Sequence, residues 1–496
     1  MSYTDLLRLT IPEIIIVLAA LALLAVDLLM MRDLELKFRS VIGAMIACLG
    51  CVASIAWMAV LPANENFLNG TLTVNNLTSL VKTGLLVFAI LTILLSLRGE
   101  FTTHVGEYFA LILFATVGMM FLVSSEDILM IFISLELTSL SLYILTGFNK
   151  QSHYSAEAGL KYFLFGGLSA AFTLFGLSFL FGLSGSTNLQ EIAKAIHGPG
   201  LDPLLEVAIV MVTIGFGFKV AAAPFHLWAP DAYQGAPLPS AAFIASGSKL
   251  AGFFVFARVM SLSFTGAEGS SALHAYHPGW VPLLALIAAL SMLVGNLGAI
   301  VQSSVRRLLA YSAIAHSGYM LLGVVSNSSA GLGGLVYYVV TYGLATLGAF
   351  GVVSLVQAET GSDHLSAFAG LSRTAPALAL CMLVFMLSLA GIPPLAGFFG
   401  KWYLFAGALA SSGGTFHLLW LVMLALALSA VSLFYYLQVL KQIYVADTSG
   451  PTIKLPMAKA PIQAVLAVIA LAVLLLGCVP EWAVAKLNLA LQLAKL

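Results

Sequence analysis

Charge is what this sequence has least of. Lys, Arg, Asp and Glu together make up 8% of 496 residues, and the formal net charge is zero. A balance of that kind offers nucleic acid no electrostatic footprint, so no nucleic-acid partner is expected. Long polar stretches are also missing, so no loop can hold a soluble catalytic domain. Cysteine is scarce: Cys48, Cys51, Cys381 and Cys478 all lie in apolar segments. Cys48 and Cys51 form a C-x-x-C without a second pair, whereas an iron–sulfur cluster needs four thiolates. Buried packing is the plainer role for them. Histidines are scattered, with no paired ligand spacing and no Ser-His-Asp set. Gly215-Phe216-Gly217 is followed by more apolar chain, not by a dinucleotide-binding unit, and reads as small-residue helix packing. No cofactor or metal site is therefore expected in this chain.

What is present is hydrophobicity. Apolar residues make up 61% of the chain, and the mean hydropathy is +1.04. A membrane-spanning helix needs about 20 mostly apolar residues. The sequence offers about fourteen such runs by that measure. They cover 11–31, 38–61, 75–97, 106–123, 127–147, 157–183, 204–228, 237–262, 279–300, 304–325, 330–357, 375–410, 414–443 and 460–485. The runs are continuous, not alternating, which excludes a β-barrel. The expectation is an all-α polytopic membrane protein. The first run is too long for a signal-peptide core and reads as a retained span.

The few basic residues are unevenly placed. Arg32, Lys37, Arg39, Arg98, Lys150, Arg306, Arg307, Arg373, Lys441, Lys454 and Lys459 fall on one set of alternate loops. The other set holds little beyond Arg8 and Lys194. The positive-inside rule then puts both termini on the outer side, and an even number of spans agrees in placing both on one side. The longest outer loops are 185–202 and 264–278, with Gly198-Pro199-Gly200 and His277-Pro278-Gly279 as turns. The longest inner ones are 360–374 and 446–459.

Two segments break the helical pattern: Ala221-Ala222-Ala223-Pro224-Phe225-His226 and Gly391-Ile392-Pro393-Pro394. Proline removes a helix hydrogen bond and clashes with the preceding turn. In lipid, the freed backbone groups must be satisfied by neighbours or cavity water. Paired interrupted segments point to inverted repeats. We expect three N-terminal spans (1–105), two inverted five-helix repeats (106–262 and 279–443), each with one proline-broken helix, and a final span (444–496).

Against this apolar background a few ionisable residues stand out. Glu136, Lys219, Lys249 and Lys401 each lie inside an expected span. A charge at the bilayer centre costs about 2.5–3.5 kcal/mol and commonly marks an ion or proton path. Glu136 is a natural partner for Lys219: burial favours the neutral lysine, a nearby carboxylate the charged one. A static structural ion pair is the alternative. Lys249 has Gly247 and Ser248 beside it, which leave room for water. Lys401 follows the second break. His226 adjoins the first break and His316 lies mid-span; each suits a proton relay or a simple hydrogen bond. Lys161 lies near a span end, where relay and snorkelling compete. Glu13, Asp27 and Lys82 are nearer span ends, so interface roles are expected for them.

The stretch Gly217–Tyr233, the stretch Arg306–Tyr319 and Ala390-Gly391-Ile392-Pro393-Pro394 resemble the signature of the antiporter-like subunits of respiratory complex I. The resemblance covers about 106–443. The chain's end soon after the last span, its length and Lys401 (where another member type carries a glutamate) are similar to one bacterial member type. The resemblance implies a role for each matched residue. Glu136 pairs with Lys219, with Lys161 nearby. Lys249 joins two half-channels, with His226 between, and Lys401 lies near the outward one. It implies a proton-translocating membrane subunit in a bacterial inner membrane, among other membrane-arm subunits. It also implies that FMN, the iron–sulfur clusters and the quinone site belong to partner subunits. A Mrp-type cation/proton antiporter subunit, or the equivalent subunit of a membrane-bound hydrogenase, fits the same residues.

Overall fold

In the computed structural model, the described residues are 3–61, 65–67, 70–97, 101–196, 202–272, 275–411, 417–447 and 460–494. Arg98, Lys454, Lys459 and the expected turn Gly198-Pro199-Gly200 fall outside them, as does most of the 446–459 loop. The N-terminal helices are α1 (Tyr3–Leu29), α2 (Leu36–Met58) and α3 (Asn76–Leu95). Next come α4 (Val105–Val123), α5 (Ile128–Thr146), α6 (His153–Ser184), α7 (Leu189–Ile196), α8 (Pro203–Lys219) and α9 (Trp228–Gly235). Then α10 (Leu238–Phe243) passes through a π-helical turn, Ile244–Ser248, into α11 (Lys249–Ser263). The second half holds α12 (Trp280–Ile300), α13 (Val305–Val325), α14 (Ser329–Thr360), α15 (Leu371–Thr374), α16 (Pro376–Ala390), α17 (Ala396–Ala410) and α18 (Leu419–Tyr444). Finally come α19 (Ala460–Cys478) and α20 (Pro480–Leu493).

Twelve helices among the described residues are long and apolar enough to cross a membrane. The expected count of about fourteen is not reached by length, because both proline-broken segments are cut. The run 204–228 stops as helix at Lys219, and the run 375–410 is split into α16 and α17. The last expected span, 460–485, also ends early. Pro480 starts a separate helix, α20, after Cys478. Three small elements were not expected. Two antiparallel hairpins, β1 (Glu65–Phe67) with β2 (Leu72–Val74) and β3 (Ser270–Ala272) with β4 (Ala275–His277), occupy loops. Helix α7 occupies a third.

Burial locates the centre of the bundle. The most apolar windows of α10–α11, α13 and α14 are 100%, 94% and 89% buried, against 33% for α1, α6 and α19. A helix apolar all round belongs in the interior of a bundle, and these three carry Lys249, His316, Ser317 and Tyr338. The rim helices show apolar side chains outward, as lipid contact requires.

Two joints tie the helix ends, and they are built alike. At the first, Asp127 caps α5, Ile128 N–H donates to the Thr187 carbonyl (2.8 Å) and Leu189 N–H to the Glu126 carbonyl (2.8 Å). At the second, Ser304 caps α13, Val305 N–H donates to the Asp363 carbonyl (2.9 Å) and Leu365 N–H to the Ser303 carbonyl (2.9 Å). Side chains reinforce both: Thr187 Oγ1 to Asp127 Oδ2 and Ser304 Oγ to Asp363 Oδ2, each 2.5 Å. Helices α6 and α14, which lead into these joints, are both 32 residues long. Each starts at a serine cap, Ser152 or Ser328, and ends at a left-handed glycine, Gly185 or Gly361. Glycine there carries no Cβ penalty.

Candidate functional site

The first break begins where α8 ends at Lys219. Ala221 takes a positive φ of 56° and Ala223-Pro224 is cis. The interrupted backbone finds side-chain partners. Trp228 Nε1 donates to the Phe218 carbonyl (3.0 Å), and Ser291 Oγ accepts from Ala223 N–H (2.8 Å). Lys219 is 6% exposed, and its Nζ donates to Ser139 Oγ on α5 (3.0 Å). Glu136, one turn away on α5, is half-buried and lines the same narrow cleft as Lys219, Ser139 and Tyr143. Glu136 and Lys219 are within one cleft but form no ion pair inside 4 Å.

Lys249 follows the π-helical turn and is 1% exposed. Its Nζ donates to the Ala313 carbonyl and to Ser317 Oγ (2.7 Å), both on α13. Ser317 Oγ is 2.6 Å from the Val220 carbonyl and 2.9 Å from the Ala313 carbonyl. Its single hydrogen can serve only one of them at a time. Ser317 therefore joins Lys249 to the first break. Gly252, one turn beyond Lys249, packs on the Lys219 stem; a Cβ there would lie 3.5 Å from Lys219 Cγ.

His316 adjoins Ser317 and is held between two phenols. Nδ1 is 2.6 Å from Tyr338 Oη and Nε2 is 3.0 Å from Tyr436 Oη. A neutral imidazole has one donor and one acceptor nitrogen, so one phenol donates while the other accepts. Tyr436 also bonds Ser312. Asn296 bridges Tyr319 and Tyr435 beside this pair, at 3.1 Å each.

Lys401 reaches back across the second break, where Pro393-Pro394 is cis. Its Nζ donates to Ser429 Oγ (2.7 Å) and to the Ala390 (2.9 Å) and Leu389 (3.3 Å) carbonyls at the end of α16. The Tyr319 ring lies 5.3 Å from this ammonium, within cation–π range. Gly391 takes φ 87°, and a Cβ there would lie 3.0 Å from Lys401 Cδ.

The structure thus places Lys249 and His316 on the central helices α11 and α13, with Lys219 at the end of α8 and Lys401 on α17 packed beside them. Two candidates sit apart. Lys161 pairs with Glu157 (2.6 Å) and Asp231 (2.8 Å) in a partly exposed cluster that Arg307 joins through Asp231 (2.9 Å). His226 lies within the first break, buried, with no hydrogen-bond partner at Nδ1. Ser317, Tyr338, Tyr436 and Asn296 escape sequence reading. Hydroxyls are common in membrane helices, and nothing in their spacing separates these from the rest. Lys82 and Glu13 overturn their expected interface role. They are 2% and 0% exposed, and Lys82 Nζ is 2.6 Å from Glu13 Oε1. Asp27 is likewise buried, bonded twice by Arg39 (2.9 and 2.8 Å).

A helical membrane bundle with two interrupted helices and three buried lysines, each bonded to a serine hydroxyl, has the features of an antiporter-like membrane subunit. Residues 125–429 match the family described as NADH:quinone oxidoreductase/Mrp antiporter, TM. The chain belongs to that family. It is 52% identical over 492 residues to NADH-quinone oxidoreductase subunit N 2 of Acidobacterium capsulatum, covering 97% of this chain and 98% of that one. Its fold is similar to a chain of respiratory complex I from Thermus thermophilus with bound aureothin, at TM-score 0.77 and 33% identity, over 96% and 99% of the two chains. A chain of the Mrp complex from Dietzia sp. shares the fold at TM-score 0.79 and 18% identity, over 98% and 97%.

Proposed function

We propose that this chain is the N-type membrane-arm subunit of a bacterial NADH–quinone oxidoreductase, and that it moves protons along Glu136, Lys219, Lys249, His316 and Lys401. One observation carries the proposal. Ser317 contacts both Lys249 and the Val220 carbonyl, so a hydroxyl with two alternative acceptors stands between Lys249 and the residue that follows Lys219. A hydroxyl that accepts from an ammonium and can turn its own hydrogen between two acceptors supports a polar route from Lys249 toward the first break. Glu136 loads Lys219, and His226 and Lys161 serve the basic end of the path. NADH oxidation, FMN, the iron–sulfur clusters and the quinone site lie in partner subunits.

Several features support the wider reading. Near Glu136, Ile133 and Leu140 on α5 and Phe163 and Leu164 on α6 are all half-exposed or more. A carboxylate at the edge of such a face is costly in lipid and calls for a protein neighbour, an antiporter-like subunit of the same arm. The matching joints and the paired 32-residue helices support two inverted five-helix repeats over 106–262 and 279–443, flanked by 1–105 and 444–496. Counting each broken segment as one crossing gives fourteen spans, with both termini outside by the positive-inside rule.

The test is purification of the chain with its natural partners, followed by reconstitution. NADH oxidation coupled to quinone reduction should acidify the vesicle lumen, and Lys219→Ala should abolish acidification while leaving the complex assembled. A preparation without redox partners that exchanges cations for protons would replace this reading by the Mrp-type one.

A further inference from the structure

Between His316 and Lys401 the polar row has a gap. Both ring nitrogens of His316 are taken by phenols, Tyr338 and Tyr436. An ammonium has three donors, and Lys401 meets three acceptors, Ser429 Oγ and the Ala390 and Leu389 carbonyls. No hydrogen bond among the described residues joins the histidine to the lysine. The ring of Tyr319 neighbours both. Its centroid lies 5.6 Å from that of the His316 ring, at 87°, and 5.3 Å from Lys401 Nζ. Phe405, one turn from Lys401 on α17, meets the same ring at 6.4 Å. A ring face attracts a cation, but it cannot hand on a proton.

The phenol of Tyr319 could, and it is held elsewhere. Asn296 on α12 is 0% exposed. Its Nδ2 donates to Tyr319 Oη (3.1 Å) and to the Met292 carbonyl (2.7 Å). A carbonyl only accepts, which identifies that end of the amide as its nitrogen. Oδ1 accepts from Tyr435 Oη on α18 (3.1 Å). Both donors of the amide are therefore in use, as a buried amide requires. The Tyr319 phenol is less well served. It accepts from Asn296, but its own hydrogen meets no acceptor among the described residues. A buried hydroxyl with an idle hydrogen is only half satisfied, so its bond to Asn296 is what keeps it in place.

Resting on the proposed function for the row itself, we propose that Tyr319 is a gate between His316 and Lys401 and that Asn296 is its latch. Latched, Tyr319 offers the row a ring. Released, it offers a hydroxyl, which passes a proton by accepting one at its oxygen while giving up its own, and ends unchanged. Asn296 acts through Tyr319 and is a positioning residue. The far side of the latch is tied back to the histidine. Tyr435 bonds Asn296, its ring packs on Tyr436 with centroids 4.5 Å apart, and Tyr436 bonds His316. A shift at the histidine can thus reach the latch through two packed rings.

The test uses the whole complex in sealed vesicles, first without NADH and then with it. Without NADH, an imposed pH gradient should decay faster in Asn296→Leu, by about two- to tenfold, the change in population that one net hydrogen bond controls. Tyr319→Phe keeps the ring but has no hydroxyl to release. It should not quicken the decay, and NADH-driven acidification per electron should fall. The double variant Asn296→Leu with Tyr319→Phe should lose the leak and decay as wild type, which a packing defect at Asn296 would not do. Tyr337→Phe, a control, loses a phenol bonded to the Leu476 carbonyl and should decay and pump as wild type. Where Asn296→Leu fails to assemble, the conservative Tyr319→Phe decides by its pumping. An unchanged decay in Asn296→Leu, a double variant as leaky as the single one, or full pumping in Tyr319→Phe overturns the proposal. Vesicles that show this pattern of decay but do not acidify on NADH overturn the proposed function and leave the gate standing.

Discussion

The two broken helices solve one problem in opposite ways. Each leaves backbone groups stranded inside the membrane, where water cannot serve them. At the first break neutral side chains bond the backbone, namely Trp228, Ser291 and Ser317. Lys219 is left with one hydroxyl partner, Ser139. At the second break the lysine itself is the cap, and Lys401 donates to two carbonyls at the end of α16. A cation at a helix C-terminus also meets the favourable end of the helix dipole. The first lysine can therefore change its charge without disturbing the backbone. The second cannot, because a neutral amine keeps fewer donors than an ammonium. On the proposed function, proton movement at Lys401 would be coupled to the geometry of the break, and proton movement at Lys219 would not.

The strongest way to break this contrast is to remove each lysine. Both Lys219→Met and Lys401→Met should reduce vesicle acidification by roughly 100-fold or more, the scale of a lost proton-transfer group. Only Lys401→Met should also lower stability, by about 1–3 kcal/mol for each carbonyl left unsatisfied, read as a lower melting temperature in detergent. Equal melting temperatures for the two variants would refute the difference. Next in size is Gly391→Ala. The positive φ there costs an L-residue about 1–2 kcal/mol, and the added methyl presses on Lys401. The same change at Gly252 meets Lys219 only at ordinary contact distance, so a Gly252→Ala variant should pump nearly as wild type.

Ser317→Ala sharpens the comparison from the first break. It removes the hydroxyl between the Val220 carbonyl and Lys249, and pumping should fall about tenfold, equivalent to about 1.4 kcal/mol on the limiting barrier. Unchanged rates would show that the two lysines communicate by another route. The smallest effect is expected at the rim. Asp231→Asn disturbs partly exposed pairs with Lys161 and Arg307, and such pairs contribute less than about 1 kcal/mol. The melting temperature should barely move.

The lysines are legible in the sequence because charge is rare inside apolar runs. The breaks are legible because proline is. Their connections are not. Ser317, Tyr338 and Tyr436 look like any other hydroxyls, and only the packing of α13 between α11, α14 and α18 gives them partners. Glu13 and Lys82 read as interface residues because both lie in the outer half of a span. Distance from a helix end does not tell whether a side chain points to the rim or the interior, and both point inward. The separation of α20 from α19 is hidden although Pro480 is plain in the sequence; the apolar run continues past it, and composition masks the cut.

The two matching joints have a mechanical consequence. Each pins the start of one helix to the end of the next, α5 to α6 and α13 to α14. A pair of rods pinned at one end can spread only at the other. In the proposed inverted arrangement the two pins would sit on opposite sides of the bundle, and the ends free to part would lie diagonally across from each other. An excursion that loosened one unit on one side would then leave the other unit clamped on that side, so that the protein would flex at its middle without opening from face to face.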